Sequence, residues 1–579
     1  MRNLVAEAKA QYKELIEKAV NSAIAAGELP EGEIPKFNIE IPADNKNGDL
    51  ASNVAMVSAK AFRKAPRQIA EAIVSYISLD GTYFEKAEVA GPGFLNVFYA
   101  PHWFAETVSA ALTEKDSYGT GNMGKGEKVM VEFVSANPTG PMHMGNARGG
   151  AIGDGLAEAM KWCGYDITRE FYINDAGNQI EKFGKSLEAR YLQLHLGEDA
   201  IEFPEDGYHG EDIKVRAKEF TEINGDKYVE ADSAERKKAL VAYALPANVE
   251  GLQRDLGKYR INYDVWFRES SLYNDGSIDK IVKILTEKGL TYEKDGALWY
   301  KNAEVLTKKF KAEGKTDKQI EALELKDDVI IRANGNPTYF AGDIAYHYNK
   351  FAERGFSKVI NVWGADHHGH VARLQGAMDA VGLDGSKLDV VLMQMVELMR
   401  DGKPEKMSKR TGKAITLTDL LDEVPIDAAR FLFNMREPNT HLLFDLGLAV
   451  KNTNDNPVYY VQYAHARICS ILRALAEEGV QVKEDISCYT YTEPEEFALV
   501  TELAKFPGEI EESVKTYDPS RITKYAIEVA TMFHKFYNAC RCRCEEEDRM
   551  YARMALASAT KIVIKNVLTM LKVSVPESM

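Results

Sequence analysis

Ala136-Asn-Pro-Thr-Gly-Pro-Met-His-Met-Gly-Asn146 is the stretch whose reading decides the fold. It follows an apolar, β-branched run, Lys128-Val-Met-Val-Glu-Phe-Val134, and precedes a small-residue pattern of helical character, Ala147-Arg-Gly-Gly-Ala-Ile-Gly-Asp-Gly-Leu156. Strand, tight turn and helix start in that order place a polar cluster at the carboxyl end of a parallel strand. There a helix N-terminus offers unpaired N–H groups and the positive end of its dipole to a phosphate. Far downstream stands Lys406-Met-Ser-Lys-Arg410, a basic loop able to close on a triphosphate. A His-x-Gly turn alone carries little; with the second motif it carries a great deal.

Together the two motifs resemble the signatures of class I aminoacyl-tRNA synthetases, His-x-Gly-His and Lys-Met-Ser-Lys. The likeness narrows to arginyl-tRNA synthetases of the bacterial type through Val131-Glu-Phe-Val-Ser-Ala-Asn137, Phe171-Tyr-Ile-Asn-Asp-Ala-Gly177, Pro337-Thr-Tyr-Phe-Ala-Gly-Asp343, Trp363-Gly-Ala-Asp-His-His-Gly369 and Asp455-Asn-Pro-Val-Tyr-Tyr-Val-Gln-Tyr-Ala-His-Ala-Arg467. It runs from about Gly48 to the C-terminus. One position departs: Asn146 stands where the first signature has its second histidine.

Composition agrees without deciding. The 579 residues are 45% hydrophobic and 28% charged, as in a soluble globular protein of several domains. No apolar run is long enough for a membrane span, and the N-terminus carries acids and no continuous apolar core. A cytoplasmic protein without a secretory signal is expected. The net charge of −16 argues globally against a nucleic-acid partner, but binding depends on local patches. Lys403–Lys413 holds five basic residues against one acid, whereas the run Lys308, Lys309, Lys311, Lys315 and Lys318 reads as a solvated helix face. Six cysteines are too sparse for a disulfide framework. Cys540-Arg-Cys-Arg-Cys544 lacks the two-residue gaps of a zinc knuckle, so helix-packing thiols are expected there and no tightly bound metal.

Patterning divides the chain into three. Residues 1–115 mix helical stretches (4–26, 54–61, 69–77) with a strand–turn–strand at Ala87–Phe98, and the glycine-rich run 119–126 reads as a linker. Residues 116–451 show short apolar strands alternating with helices, at Lys128–Val134, Ile167–Ile173, Val329–Arg332, Val359–Trp363 and Val390–Val396. They imply a doubly wound parallel sheet, interrupted by a charged helical insertion at about 190–260. Residues 452–579 read as an α-helical bundle, with helices expected at 457–478, 495–503, 519–547 and 548–572. The fold class expected is therefore multi-domain α/β plus α: an N-terminal α+β domain, a Rossmann-like catalytic domain and a C-terminal helical bundle.

The resemblance implies a function: arginine is activated with Mg-ATP to an adenylate and passed to the 3′ end of tRNA(Arg). The N-terminal domain and the bundle contact the tRNA, the bundle at the anticodon, and the protein is a monomer. By the same resemblance His143, Asn146, Lys406 and Lys409 are catalytic. Pro138, Gly140, Gly145, Gly364, Met407 and Ser408 join them around ATP. Glu132, Asn137, Tyr339, Asp343, Asp366 and His367 surround arginine. The chemistry fits these residue types. Phosphoryl activation needs positioned donors and cations and no protein nucleophile, and a planar guanidinium needs carboxylates. Asn146 can donate through its amide but cannot become cationic. Seen alone, Glu132 could be an outward-facing strand residue, and adjacent histidines at 367 and 368 seldom chelate an ion without further ligands. Competing readings are a class I synthetase for another amino acid, a non-catalytic tRNA-binding paralogue, and a simple nucleotidylyltransferase. The acids at 132 and 343 favour a cationic amino acid, the complete Lys-Met-Ser-Lys motif opposes the paralogue, and the helical bundle opposes the last.

Overall fold

The computed structural model describes residues 2–400, 402–405, 415–483 and 490–579. Its centre is a five-stranded, wholly parallel sheet. We label its strands β1 (Lys128–Glu132), β2 (Asp166–Ile173), β3 (Val265–Arg268), β4 (Lys358–Gly364) and β5 (Leu388–Met393), lying in the order β5-β4-β1-β2-β3. Val129, Met130 and Val131 are fully buried, as a strand covered on both faces requires. The order reverses beside β1, so the crevice beyond the carboxyl ends of β1 and β4 is where such a sheet binds ligands.

Helix α1 (Met144–Trp162) follows β1 and is rich in glycine. Each glycine costs a helix about 1 kcal/mol relative to alanine, and close packing accounts for two of them here. A Cβ on Gly153 would lie 2.2 Å from Phe133, and one on Gly150 would lie 2.7 Å from Ile261. Three further helices position the site: α2 (Glu269–Asn274), α3 (Tyr339–Tyr348) and α4 (His368–Val381).

Around this centre the N-terminal region pairs Ile39–Glu40, Leu50–Ser52, Phe94–Tyr99 and Phe84–Ala90 into one antiparallel sheet, with helix Leu4–Ala25 burying Tyr12, Ile16 and Val20. The insertion is three helices, Asn178–Leu196, Glu211–Asn224 and Ser233–Lys258, around a core of their own. The C-terminal region holds helices Pro457–Glu477, Pro494–Ala504, Phe506–Thr516, Ser520–Ala539 and Glu547–Met570. Arg430, fully buried, ties this bundle to the sheet by donating to the Leu571 carbonyl (2.8 Å) and to Asp154 on α1 (2.5 Å).

Four expectations need correction. The apolar run at 329–332 forms a strand, Asp328–Ile331, that pairs antiparallel with Ala297–Tyr300 in a separate three-stranded sheet. A short apolar run shows burial but not its partner. The run 390–396 is split at Gln394, β5 ending at Met393 and a new strand, Val396–Arg400, pairing with Leu442–Asp445. The helix expected at 519–547 stops at Ala539, because Cys540 takes extended backbone angles. Cys540 and Cys542 are buried in the loop that follows while Cys544 is half-buried, so they are packing thiols but not helical ones. Helix Phe506–Thr516, with Pro507 in its first turn, was not anticipated. The basic run at 308–315 is a solvated face as expected: Lys308, Lys309, Lys311 and Lys315 pair with Glu304, Asp379, Asp317 and Glu313.

Candidate active site

The turn after β1 is held in costly geometry. Val134 (φ +68°) and Ser135 (φ +42°) both occupy the left-handed region, which costs a non-glycine residue about 1–3 kcal/mol. Ser135 offsets that strain with a role. Its Oγ donates to Glu132 Oε1 (2.9 Å) and accepts the Tyr172 N–H (3.1 Å), knitting β1 to β2 at their carboxyl ends. Beyond it Asn137 is exposed, and the Pro138 carbonyl accepts from Asn248 of the insertion (2.9 Å). Gly140 lies half-buried on the same loop.

His143 is the N-cap of α1, and it forms a reciprocal pair with Asn146. The imidazole Nδ1 accepts the Gly145 N–H at 3.0 Å, while the Asn146 amide oxygen accepts the His143 N–H at 2.9 Å. With Nδ1 an acceptor, the ring proton sits on Nε2, where it can donate outward. Partial burial lowers the imidazole pKa and keeps the ring neutral. Asn146 thus has a capping task, which leaves its NH2 to face a ligand. A Cβ on Gly145 would come 2.9 Å from the His143 ring, so only glycine leaves the imidazole where it is. The chain that follows the second signature returns to the same turn. His143 bridges Thr416, and the Leu417 N–H donates to the Met142 carbonyl at 2.8 Å. The second signature itself, Lys406, Met407, Ser408 and Lys409, lies outside the described residues.

The other wall is α3. Tyr339 is its first residue and exposed, its ring standing over Gly177; Asp343 lies one turn on, and its Oδ2 meets His370 Nε2 of α4 at 2.9 Å. A hydrogen-bonded chain buttresses Asp343 from behind. His347 Nδ1–H donates to the Asp343 carbonyl (2.8 Å), His347 Nε2 accepts from Asn361 Nδ2 (2.8 Å), and Lys350 donates to Asn361 Oδ1 (3.3 Å) and Glu132 Oε2 (2.5 Å). Burial drives the His347 pKa well down, so its ring is neutral. Lys350 is fully buried, and Glu132 therefore reaches the pocket with one oxygen on an ammonium and the other on Ser135. Glu170 is likewise engaged, by Arg354 and by the Tyr346 hydroxyl (2.6 Å).

At the end of β4, Gly364 lets the chain turn sharply, since a Cβ would lie 2.5 Å from Asp366 Oδ1. Asp366 and His367 are exposed and 3.7 Å apart. Of the residues expected from the sequence, the structure places Tyr339 and Asp343 on α3, His143 and Asn146 in the capping turn, and Gly364, Asp366 and His367 in the loop after β4. Lys350, His347, Asn361 and His370, which hold Glu132 and Asp343 in place, carry no motif in the sequence. A pocket of about 250 Å³, lined by Gly177, Asn178, Tyr273, Arg332, Asn336 and Tyr339, opens beside α3.

A parallel sheet with a capped glycine-rich helix at its switch point, a capping histidine and an acid-bearing second wall defines the class I synthetase architecture. Three family models match in succession: "Arginyl tRNA synthetase N terminal domain" over residues 10–99, "tRNA synthetases class I (R), catalytic domain" over 107–454, and "DALR anticodon binding domain" over 461–579. Among curated proteins, the arginine–tRNA ligases of Caldanaerobacter subterraneus subsp. tengcongensis and Acetivibrio thermocellus are 56% and 52% identical, each over the whole of both chains. The arginyl-tRNA synthetase structure of Thermus thermophilus matches with a TM-score of 0.71 at 20% identity, covering 97% of this chain and 99% of that one, which speaks to the fold alone. The chain belongs to the arginyl-tRNA synthetase family.

Proposed function

We propose that this chain is an arginine–tRNA ligase: it activates L-arginine with Mg-ATP, releasing pyrophosphate, and transfers the arginyl group from the adenylate to the 3′ end of tRNA(Arg), releasing AMP. The observation that carries the reading is Asp343, an acid presented by α3, met by His370 of α4 and backed by His347, whose ring is held by Asn361 of β4. A guanidinium settles against carboxylates, with Tyr339 flanking it, while the α-amino end faces Asn137, Asp366 and His367. Glu132 contributes through its Lys350-paired carboxylate at the floor.

In the first step the arginine carboxylate attacks the α-phosphorus and pyrophosphate departs. His143 donates through Nε2–H to the phosphoryl oxygens, joined by the Asn146 amide. Pro138, Gly140, Gly145 and Gly364 leave room for the nucleotide, and Lys406 and Lys409, with Met407 and Ser408, hold the β- and γ-phosphates. Mg2+ travels with the phosphates. In the second step a ribose hydroxyl of the tRNA attacks the acyl carbon and AMP leaves. We place the domain limits at 1–115, 116–451 and 452–579, with the first and last contacting tRNA, and take the protein to be cytoplasmic and monomeric. Among the described residues no helix is long and apolar enough to cross a membrane.

The test is amino-acid-dependent pyrophosphate exchange with each of the twenty amino acids, with and without tRNA. Exchange driven by arginine and by none of the other nineteen, and dependent on tRNA being present, is expected; exchange driven by lysine or glutamate instead would refute the assignment, and robust arginine exchange in a preparation stripped of RNA would refute the tRNA dependence.

A further inference from the structure

Arg148 lies in the second turn of α1, the helix that His143 caps, and it is fully buried. Its Nη1 donates to the Gln394 carbonyl (2.7 Å) and its Nη2 to the Glu437 carbonyl (3.0 Å), while Nε–H has no partner. Among the described residues no acid offsets its burial, which lowers the pKa to about 10 and leaves the group cationic at neutral pH. A buried cation without a counter-ion is costly. Fastening two carbonyls for the fold alone would not require one, since neutral donors meet carbonyls at less cost.

The two acceptors belong to segments distant in the chain, and these segments also meet each other. The Gln394 N–H donates to the Pro438 carbonyl at 2.9 Å. Gln394 stands between β5 and the strand Val396–Arg400, and that strand leads in sequence to Lys406 and Lys409. Glu437 precedes the strand Leu442–Asp445, which pairs in parallel with Val396–Arg400. Beyond the second signature the chain returns to α1 at Thr416 and Leu417, against His143 and Met142. The start of α1 therefore holds the segment bearing the second signature on both sides, through the cap after it and through Arg148 before it.

We propose that Arg148 is a positioning residue for the activation step. Its planar fork, reaching two carbonyls at once, fixes the strand pair Val396–Arg400 and Leu442–Asp445 against the His143–Asn146 turn, and so sets how the lysines of the second signature meet the nucleotide phosphates. This rests on the phosphate roles given above to His143, Lys406 and Lys409. Being fully buried, Arg148 acts through these segments and does not touch substrate. A lysine presents a single ammonium and cannot span the two carbonyls in fixed geometry.

Arg148→Lys and Arg148→Met in the full-length protein, each alone and combined with Lys409→Ala, test this by arginine-dependent pyrophosphate exchange in the presence of tRNA, beside denaturant unfolding of the same preparations. Arg148→Met should lower kcat by about a hundredfold and Arg148→Lys by about tenfold, with the KM for arginine changed by less than about threefold. In the double variants the loss should fall well short of the product of the two single losses, because Arg148 acts through the segment that carries Lys409. A residue that only holds the fold would shift the unfolding midpoint, spare kcat in the folded protein, and multiply fully with Lys409→Ala. A wild-type kcat in folded Arg148→Lys, or full multiplication of the losses, would therefore overturn the proposal. So would failure of both single variants to fold, which would make Arg148 a clamp of the fold. Absence of arginine exchange in the wild type would instead sink the arginine reading itself.

Discussion

Asp154 and Glu269 are both buried carboxylates, and their electrostatic surroundings are opposite. Asp154, on α1, is met by Arg430 at 2.5 Å, Lys572 at 2.7 Å and Arg169 at 3.1 Å. Burial works against its charge, but Arg430, Lys572 and Arg169 outweigh it and hold its pKa below the ordinary carboxylate range. Glu269 accepts from the Tyr273 hydroxyl and, among the described residues, pairs with no cation, while Asp343 and Asp175 add to the cost of its charge. The first cluster is complete within the protein and fastens the C-terminal bundle to the sheet. The second lacks a paired cation, and burial there favours the protonated carboxyl. Buried charge by itself therefore says little about function, whereas its imbalance marks a place for a ligand.

That contrast can be broken most forcefully at Asp154. Asp154→Asn leaves Arg430 buried without an acid, and should lower the unfolding free energy by about 3–5 kcal/mol while leaving the arginine affinity of the folded protein unchanged. Denaturant unfolding and arginine titration of the same preparation check both halves. The converse substitution is Asp343→Asn, which should weaken arginine binding by about 2–5 kcal/mol with a much smaller effect on unfolding. If Asp343→Asn unfolds the protein and Asp154→Asn spares it, the two clusters have been assigned the wrong way round.

A third change sharpens the sign of the imbalance. The raised pKa of Glu269 means that the folded state holds a proton the unfolded state has already released. Its contribution to stability is therefore complete below the unfolded value and is lost as pH rises through about 7. Glu269→Gln should accordingly melt higher than the wild type at pH 8, with the advantage fading towards pH 5. The smallest effect is expected at Lys572, the most exposed of the three cations on Asp154. Lys572→Met should cost about 1–2 kcal/mol, because Arg430 and Arg169 remain.

Much of this was legible before the structure. The strand–turn–helix at 128–162 announces itself through a continuous apolar run, a proline- and glycine-bearing turn and a run of small residues. Asp343 and Tyr339 of α3 stand out through family resemblance and not through local chemistry. What the sequence hid has a common cause: pattern reading takes charged residues to be solvent-facing. Lys350, Glu269, Glu170, Arg148 and Arg430 look like surface positions, and their burial depends on partners far away in the chain. Lys350 meets Glu132 across 218 residues, and Arg430 meets Asp154 across 276. The run at 329–332 shows a strand but not the sheet it joins, because pairing is a property of the neighbour. Nothing local in Cys540–Cys544 shows that the chain becomes extended at Cys540.

The central claim is that the carboxylate of Asp343 on α3 selects a cation. Comparing arginine with citrulline, its neutral isostere of nearly the same shape, at pH 8 in one calorimetric series tests it most directly. The account predicts that arginine binds at least about a hundredfold more tightly, the cost of leaving buried carboxylates unpaired. Citrulline binding as tightly as arginine would contradict it.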